Sequence, residues 1–225
     1  MNAQSLIDQL LKTGLSSLGQ ARGAVQGARD NGDLGKYAKG AAAGGVLGML
    51  MGSSGGRRLG GSALKVGSVA ALGMLAWKTY NDWKAQQAGL PAAAAPSLAS
   101  LPALPPPQAD AHGRALLKAM IAAAKSDGHV DERERELVET ELARSTTDAS
   151  LRLWMETELR KPLDPADVAA EASTPESAAE IYLASLLVVD QTTPMERAYL
   201  DALARELRLA PELKAQLEAR IAVGG

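Results

Sequence analysis

Apolar residues recur at helical spacing near both ends of the chain, and no stretch of the carboxy-terminal half alternates as a strand would. Near the start, Leu6, Ile7, Leu10, Leu11, Leu15 and Leu18 form a stripe with Asp8, Gln9 and Lys12 between them. This predicts an amphipathic helix within residues 1–34, either packed on neighbours or lying on a membrane surface. A second stripe, Leu116, Leu117, Met120, Ile121 and Ala124, opens a region from residue 113 onward. Asp131 can cap the next helix, with Glu134 at the capping-box position and Leu137, Val138 and Leu142 behind it. Another helix follows Thr147 or Asp148 and carries Leu151, Trp154 and Leu159. Three further starts place a capping residue before a first-turn proline: Asp164-Pro165, Thr174-Pro175 and Thr193-Pro194, the last with Glu196 at the box position. Ala210-Pro211 opens a final helix with Leu213, Leu217 and Ile221. Trp154 and Tyr199 are expected as core anchors. Residues 113–225 are therefore expected to form a small orthogonal bundle of about seven short helices, all-α in class.

A different pattern fills residues 35–87. Gly40, Gly44, Gly48, Gly52, Gly56 and Gly60 fall at an unbroken spacing of four, and residues 40–56 carry no charge. Glycine at every fourth position leaves one helix face bare, so that a second backbone can approach closely. In water each such glycine costs roughly 1 kcal/mol relative to alanine, whereas in a bilayer the backbone must bond to itself in any case. A second apolar run, Val66 to Trp77, follows the pair Arg57-Arg58. The pattern predicts a helical hairpin that enters a membrane, with the glycine face as a self-association surface. Tyr37, Trp77, Tyr80 and Trp83 would anchor its open end at the interface. Both arms are short for this role, since a span needs about 20 apolar residues.

Residues 88–112 join the two regions. Six of the 11 prolines lie there and no charge precedes Asp110, so an extended spacer is expected, with polyproline II at Pro105-Pro106-Pro107. The net charge of −2 conceals an asymmetry: residues 1–112 carry 10 Lys/Arg and five Asp/Glu, and residues 113–225 carry 14 and 21. The basic part suits anionic lipid head groups, and the basic residues are too scattered for a nucleic-acid surface. With no cysteine, disulfides and thiolate chemistry are excluded. The first residues lack a basic stretch before their apolar run, so no cleavable signal peptide is expected.

An internal echo runs through the helical region. Leu117 to Val138 is a helix, the turn Asp127-Gly128-His129-Val130-Asp131, and a helix opening at Glu134-Arg135. Ile181 to Leu200 repeats this with Asp190-Gln191-Thr192-Thr193-Pro194 and Glu196-Arg197. Asp127, Gly128, Val130 and Glu134, together with Asp190 and the run from Glu196 to Leu200, resemble the TerB-like superfamily, named for a tellurite-resistance protein. With its glycine-rich first half, the whole chain resembles the YebE-like bacterial inner-membrane proteins. The resemblance implies a compact all-α domain at the bacterial inner membrane, facing the cytoplasm, and no known reaction. It also implies acidic positions that could hold a divalent cation, Asp127, Glu134, Asp190 and Glu196, to which the acidic turn itself adds Asp131 as a further oxygen ligand. The second turn has Gln191 and Pro194 where the first has Gly128 and Asp131, which argues against a symmetric site. Read without the resemblance, the same residues end one helix and cap the next.

No Ser–His–Asp set, His-Glu-x-x-His motif or phosphate loop is present, and the two histidines, His112 and His129, are expected to be solvated. The expectation is a non-enzymatic, membrane-associated interaction module that meets lipid through its first half and protein partners through its acidic second half, without a cofactor. A divalent-metal-responsive domain is the alternative.

Overall fold

The computed structural model describes residues 3–8, 69–89, 106–126, 148–189 and 193–222. Among the described residues every regular element is a helix. Residues 3–8 are helical, followed by α1 (Val69–Gln87), α2 (Pro106–Ala124), α3 (Ala149–Arg160), α4 (Pro165–Ala169), α5 (Pro175–Leu186), α6 (Pro194–Glu206) and α7 (Pro211–Ala222).

The helix starts follow local chemistry. Asp148 caps α3, its carboxylate accepting the N–H groups of Ser150 and Leu151 at 3.0 and 3.1 Å. Asp164 does the same for Ala166 at the start of α4. Thr174 and Ser177 close a capping box on α5, and Thr193 and Glu196 close one on α6, in each case ahead of a proline whose missing N–H leaves nothing unsatisfied. α6 ends through a left-handed residue, Arg208 at φ 55°, with Leu209 N–H donating to the Ala204 carbonyl at 3.0 Å.

α5 is the centre of the molecule. Every residue from Ala178 to Leu186 is buried, including Glu180 and Ser185. A helix apolar around its circumference needs cover on all sides, and α1, α2, α6 and α7 all pack on it. α2 runs parallel to α5: His112 meets Glu180, and Ser185 reaches the Ala119 carbonyl at 3.5 Å. α1 runs antiparallel to α5, with Gly73 beside Glu180 and Trp83 at the level of Thr174 and Ala178. α7 is antiparallel to α1, since Arg220 meets Asp82 and Gln216 meets Gln86. α3 lies along α2, and α4 bridges α2 and α6.

Residues 3–8 belong to the same core. Ala3, Leu6 and Ile7 are fully buried, so this part of the first amphipathic stripe packs on its neighbours. Its backbone crosses α2 so closely that a Cβ on Gly113 would sit 2.6 Å from the Gln4 nitrogen. Only glycine fits there.

Two expectations are corrected. No helix among the described residues is long and apolar enough to cross a membrane. The second arm of the expected hairpin coincides largely with α1, whose Val69, Leu72, Ala76 and Thr79 are buried against the bundle. The apolar face assigned to lipid is thus covered by α5. The spacer is also shorter than expected, because α2 begins at Pro106 and residues 106–112 are helical. The four-residue glycine repeat from Gly40 to Gly60 and Tyr37 lie outside the described residues, as does the helix expected after Asp131.

Candidate functional site

Three features combine position with chemistry. The first is the joint between the two residues that flank positions 9–68. Asp8 ends the first described segment, and its carboxylate accepts the N–H of Val69, the first residue of α1, at 2.7 Å. A side chain 61 positions away in sequence thereby satisfies an orphan donor at the start of α1. Next to it the Asp110 carboxylate accepts Ala3 N–H at 3.0 Å and pairs with Arg114 at 3.0 Å. The Ala3 N–H, then Arg114, hold Asp110 below the usual carboxylate range. Arg114 in turn lies over the Trp154 ring, 5.4 Å from its centroid. The described residues on either side of residues 9–68 thus meet at the start of α1. Residues 9–68 carry eight Lys/Arg against two Asp/Glu, while the rest of the chain carries 16 against 24.

The second feature is a set of buried ion pairs on α5 and its neighbours. His112 Nε2 lies 3.1 Å from Glu180 Oε1, with Glu180 almost wholly buried where α1 presents Gly73 instead of a side chain. The hydrogen bond to Glu180 raises the histidine above its ordinary value, against the opposing effect of burial. Asp82, also buried, accepts from Lys78 at 2.8 Å and from Arg220 at 3.3 Å, joining α1 to α7. Lys118 reaches Asp167 and Glu171 at 3.0 and 2.8 Å and ties α2 to α4. Burial alone would lower the Lys118 ammonium, but the two carboxylates outweigh it and hold it above its ordinary value. The His112–Glu180, Asp82–Arg220 and Lys118–Asp167 pairs each join two helices, and removing His112 would leave the Glu180 carboxylate buried without that partner.

The third is a groove of about 630 Å³ between the second half of α1, the α4–α5 connection and the α6–α7 connection. Tyr80 and Trp83 form one wall, their rings 5.7 Å apart and tilted by 40°. Alanines of α4 and of the segment after it, with Ser173 and Thr174, also line it, as do Glu206 and Arg208. The Trp83 indole N–H is buried and finds no acceptor among the described residues. A buried donor without a partner costs about 1–3 kcal/mol, so such a group marks a place where an acceptor belongs.

The predicted site residues fall unevenly. Tyr80 and Trp83, expected as membrane-interface anchors, pack against the core and line this groove; Trp77 is half-buried one turn before them. Glu196 is buried, and its carboxylate accepts Thr193 N–H at 3.1 Å. Asp127, Asp131, Glu134, Asp190 and His129 lie outside the described residues. Their flanks are placed, however: the described chain after α2 runs to Ser126 and that after α5 to Val189, at the same end of a parallel helix pair. No group of three or more potential metal ligands occurs among the described residues. His112, expected to be solvated, is instead the partner of a buried carboxylate. The roles of Asp8 and Glu180 were invisible in sequence, since a lone acid between apolar residues gives no sign of a partner far along the chain. The one available signal was Glu180 itself, a charged residue inside the apolar run from Ala178 to Val189.

The profile of a protein family described as "Protein of unknown function (DUF533)" matches residues 36–221. A Yersinia enterocolitica protein named "Uncharacterized protein in ampR 5'region" is 31% identical over 103 residues, 46% of this chain and 74% of that protein. No solved structure matches the chain.

Proposed function

The chain belongs to this DUF533 family, and on that premise we propose that it is a non-enzymatic interaction module of the bacterial inner membrane, related to the YebE-like proteins and built on a TerB-like helical body. The observation that supports this reading is the joint between Asp8 and Val69, the residues that flank positions 9–68, held by a 2.7 Å hydrogen bond. Residues 9–68 are strongly basic and contain the uncharged glycine repeat, while the remaining chain is acidic. A basic segment with a bare glycine face, displayed from a rigid base, suits association with anionic lipid and with further copies of itself. The acidic body, on the cytoplasmic side, is left to bind protein partners. With α1 part of the body, membrane contact rests on residues 9–68 alone.

The test uses the full chain and a variant in which residues 9–68 are replaced by a short Gly-Ser loop between Asp8 and Val69. The full chain should sediment with vesicles containing anionic lipid and remain in bacterial membranes after a carbonate wash. The variant should stay folded and remain in the supernatant. Complete release of the full chain by carbonate, with no vesicle binding, would remove the membrane from the reading.

A divalent-metal-responsive role is the second reading. It is supported by the parallel α2–α5 pair, whose ends lead directly into Asp127 and Asp190. Calorimetry of the full chain with calcium, magnesium or zinc should then give heat that D127N abolishes; no heat at millimolar metal would end it.

A further inference from the structure

Residues 3–8 lie across a seam between two helices. At one end the Asp110 carboxylate of α2 accepts the Ala3 N–H at 3.0 Å, and the Gln4 backbone crosses α2 over Gly113. At the other end Asp8 accepts the Val69 N–H of α1 at 2.7 Å. A helical segment of this length extends about 9 Å, close to one interhelix distance. The segment therefore bridges α1 and α2. Ala3, Leu6 and Ile7 are fully buried, so the bridge is packed down and not merely tethered at its ends.

The His112–Glu180 pair lies at the same level of both helices. His112 adjoins Gly113 in α2, and Gly73, where α1 approaches the Glu180 carboxylate, is one turn from Val69. That carboxylate comes from α5, so one buried acid lies against both helices that the bridge joins. Glu180 is the charged group that the imidazole meets from α5. The other charged groups around this turn are engaged elsewhere: Asp110 with Arg114 and the Ala3 N–H, Asp8 with the Val69 N–H, and Arg114 also with the Trp154 ring of α3. With His112 protonated, the pair is a charge-assisted hydrogen bond between α2 and α5. With His112 neutral, the buried carboxylate keeps only a neutral partner, and the bond weakens.

We propose that residues 3–8 act as a pH-sensitive clasp across α1 and α2, closed most firmly while a protonated His112 is paired with Glu180 and loosened once that proton is lost. Opening the clasp parts Asp8 from Val69, so pH acts on the joint between the residues that flank positions 9–68. The hydrogen bond to Glu180 raises the histidine above its ordinary 6.5, against the opposing effect of burial. The added hold is therefore complete below pH 6.5 and is lost as pH rises through the folded value. The device belongs to the helical body and is independent of membrane association.

Amide exchange of the full chain, divided by the intrinsic rate at each pH, reads the clasp at the Ala3 and Val69 N–H groups. Both should be less protected than the α5 amides, because the clasp opens without global unfolding. Between pH 5.5 and 8.5 their protection should fall about fivefold, along the titration of the His112 ring. H112N should show the lower protection at every pH, with no step. Linkage supplies a reciprocal test: Gly113→Ala, which loosens the bridge sterically, should move the His112 midpoint down toward 6.5. Protection at Ala3 and Val69 that is independent of pH, or equal to that of α5 throughout, would overturn the proposal. So would a step that survives in H112N, because the amino-terminal amine, which titrates in this range, would then be its source. An unmoved midpoint in G113A would show that pair and clasp are uncoupled, whether or not H112N folds.

Discussion

Helices α1 and α5 lie against each other and are stable for opposite reasons. α5 is buried from Ala178 to Leu186 and carries Glu180 and Ser185 as buried polar groups. It could not stand in water without cover on every side. α1 is two-faced: Val69, Leu72 and Ala76 are buried, while Ala70, Lys84, Gln86 and Gln87 are exposed. A helix with that pattern is too polar for a bilayer and gains most of its stability from the face that it covers. The two helices also share a buried charge. Gly73 on α1 leaves room for the Glu180 carboxylate, which a Cβ there would approach at 3.1 Å. The contrast shows that an apolar run is assigned by what lies on its far side, not by its own hydropathy.

The sharpest way to break this comparison is to truncate one residue in each helix. Leu183 of α5 and Leu72 of α1 are both essentially inaccessible. Leu→Ala at either site should cost about 3 kcal/mol, from lost burial plus the cavity left behind. Urea unfolding of the full chain, followed by far-ultraviolet circular dichroism, measures both. If L183A lowered the midpoint strongly and L72A left it unmoved, α1 would not be part of the cooperative unit.

Gly113→Ala probes the other route by which the first half is attached. The added Cβ would collide with the Gln4 backbone and not with a flexible side-chain tip, so residues 3–8 must shift or detach. Overpacking of this kind costs about 2 kcal/mol. Amide exchange should separate this site from α1: the Val69 N–H, held by Asp8, should exchange faster, and the α5 amides should be affected only through global stability. Retained protection at Val69 would mean that the Asp8–Val69 joint does not depend on the crossing at Gly113.

The His112–Glu180 pair gives the comparison a pH axis. The folded state raises the histidine above its ordinary 6.5, through the hydrogen bond that it donates to Glu180. Its contribution is therefore complete below pH 6.5, where both folded and unfolded chains are protonated, and is lost as pH rises through the folded value. Glu180 is the carboxylate that faces it from α5, and α1 approaches that carboxylate at Gly73. A hydrogen bond to a charged partner contributes about 1.5 kcal/mol or somewhat more. H112N should thus be less stable than the parent by about that amount at pH 5.5, with a smaller gap at pH 8.5. A gap that stayed constant from pH 5.5 to 8.5 would show that the imidazole acts by packing and not by charge.

The local parts of this fold were legible in sequence for a physical reason. Asp148, Asp164, Thr174 and Thr193 cap helices through atoms within three residues of themselves, so chain spacing alone exposes them. α1 was misassigned because its cover, α5, lies about a hundred residues away. The candidate site was less legible still. Asp8 acts on Val69, His112 on Glu180 and Arg220 on Asp82, across 61, 68 and 138 positions. Trp83 illustrates the point: its aromatic character suggested a membrane interface, and the structure packs it against the core on a groove wall. The acidic turns remain legible only as sequence, with their helical flanks aligned by the structure.

The smallest effect should be a gain. Arg208 ends α6 at φ 55°, a conformation that costs an L-residue with a side chain about 1–2 kcal/mol and glycine nothing. Glycine also loses more freedom on folding, so R208G should stabilise the chain by about 0.5–1 kcal/mol net. For a chain of this size that is a rise in Tm of roughly 2–4 °C. Arg208 borders the groove at the level of Trp83, and Leu72 lies eleven residues earlier on α1, about 16 Å away along the helix axis. Sites so separated should act independently, and R208G should restore part of the loss in L72A without altering the difference between L72A and L183A. A fall in Tm would show that the arginine side chain contributes more to the groove wall than its backbone strain removes, and would make Arg208 a functional residue of that groove.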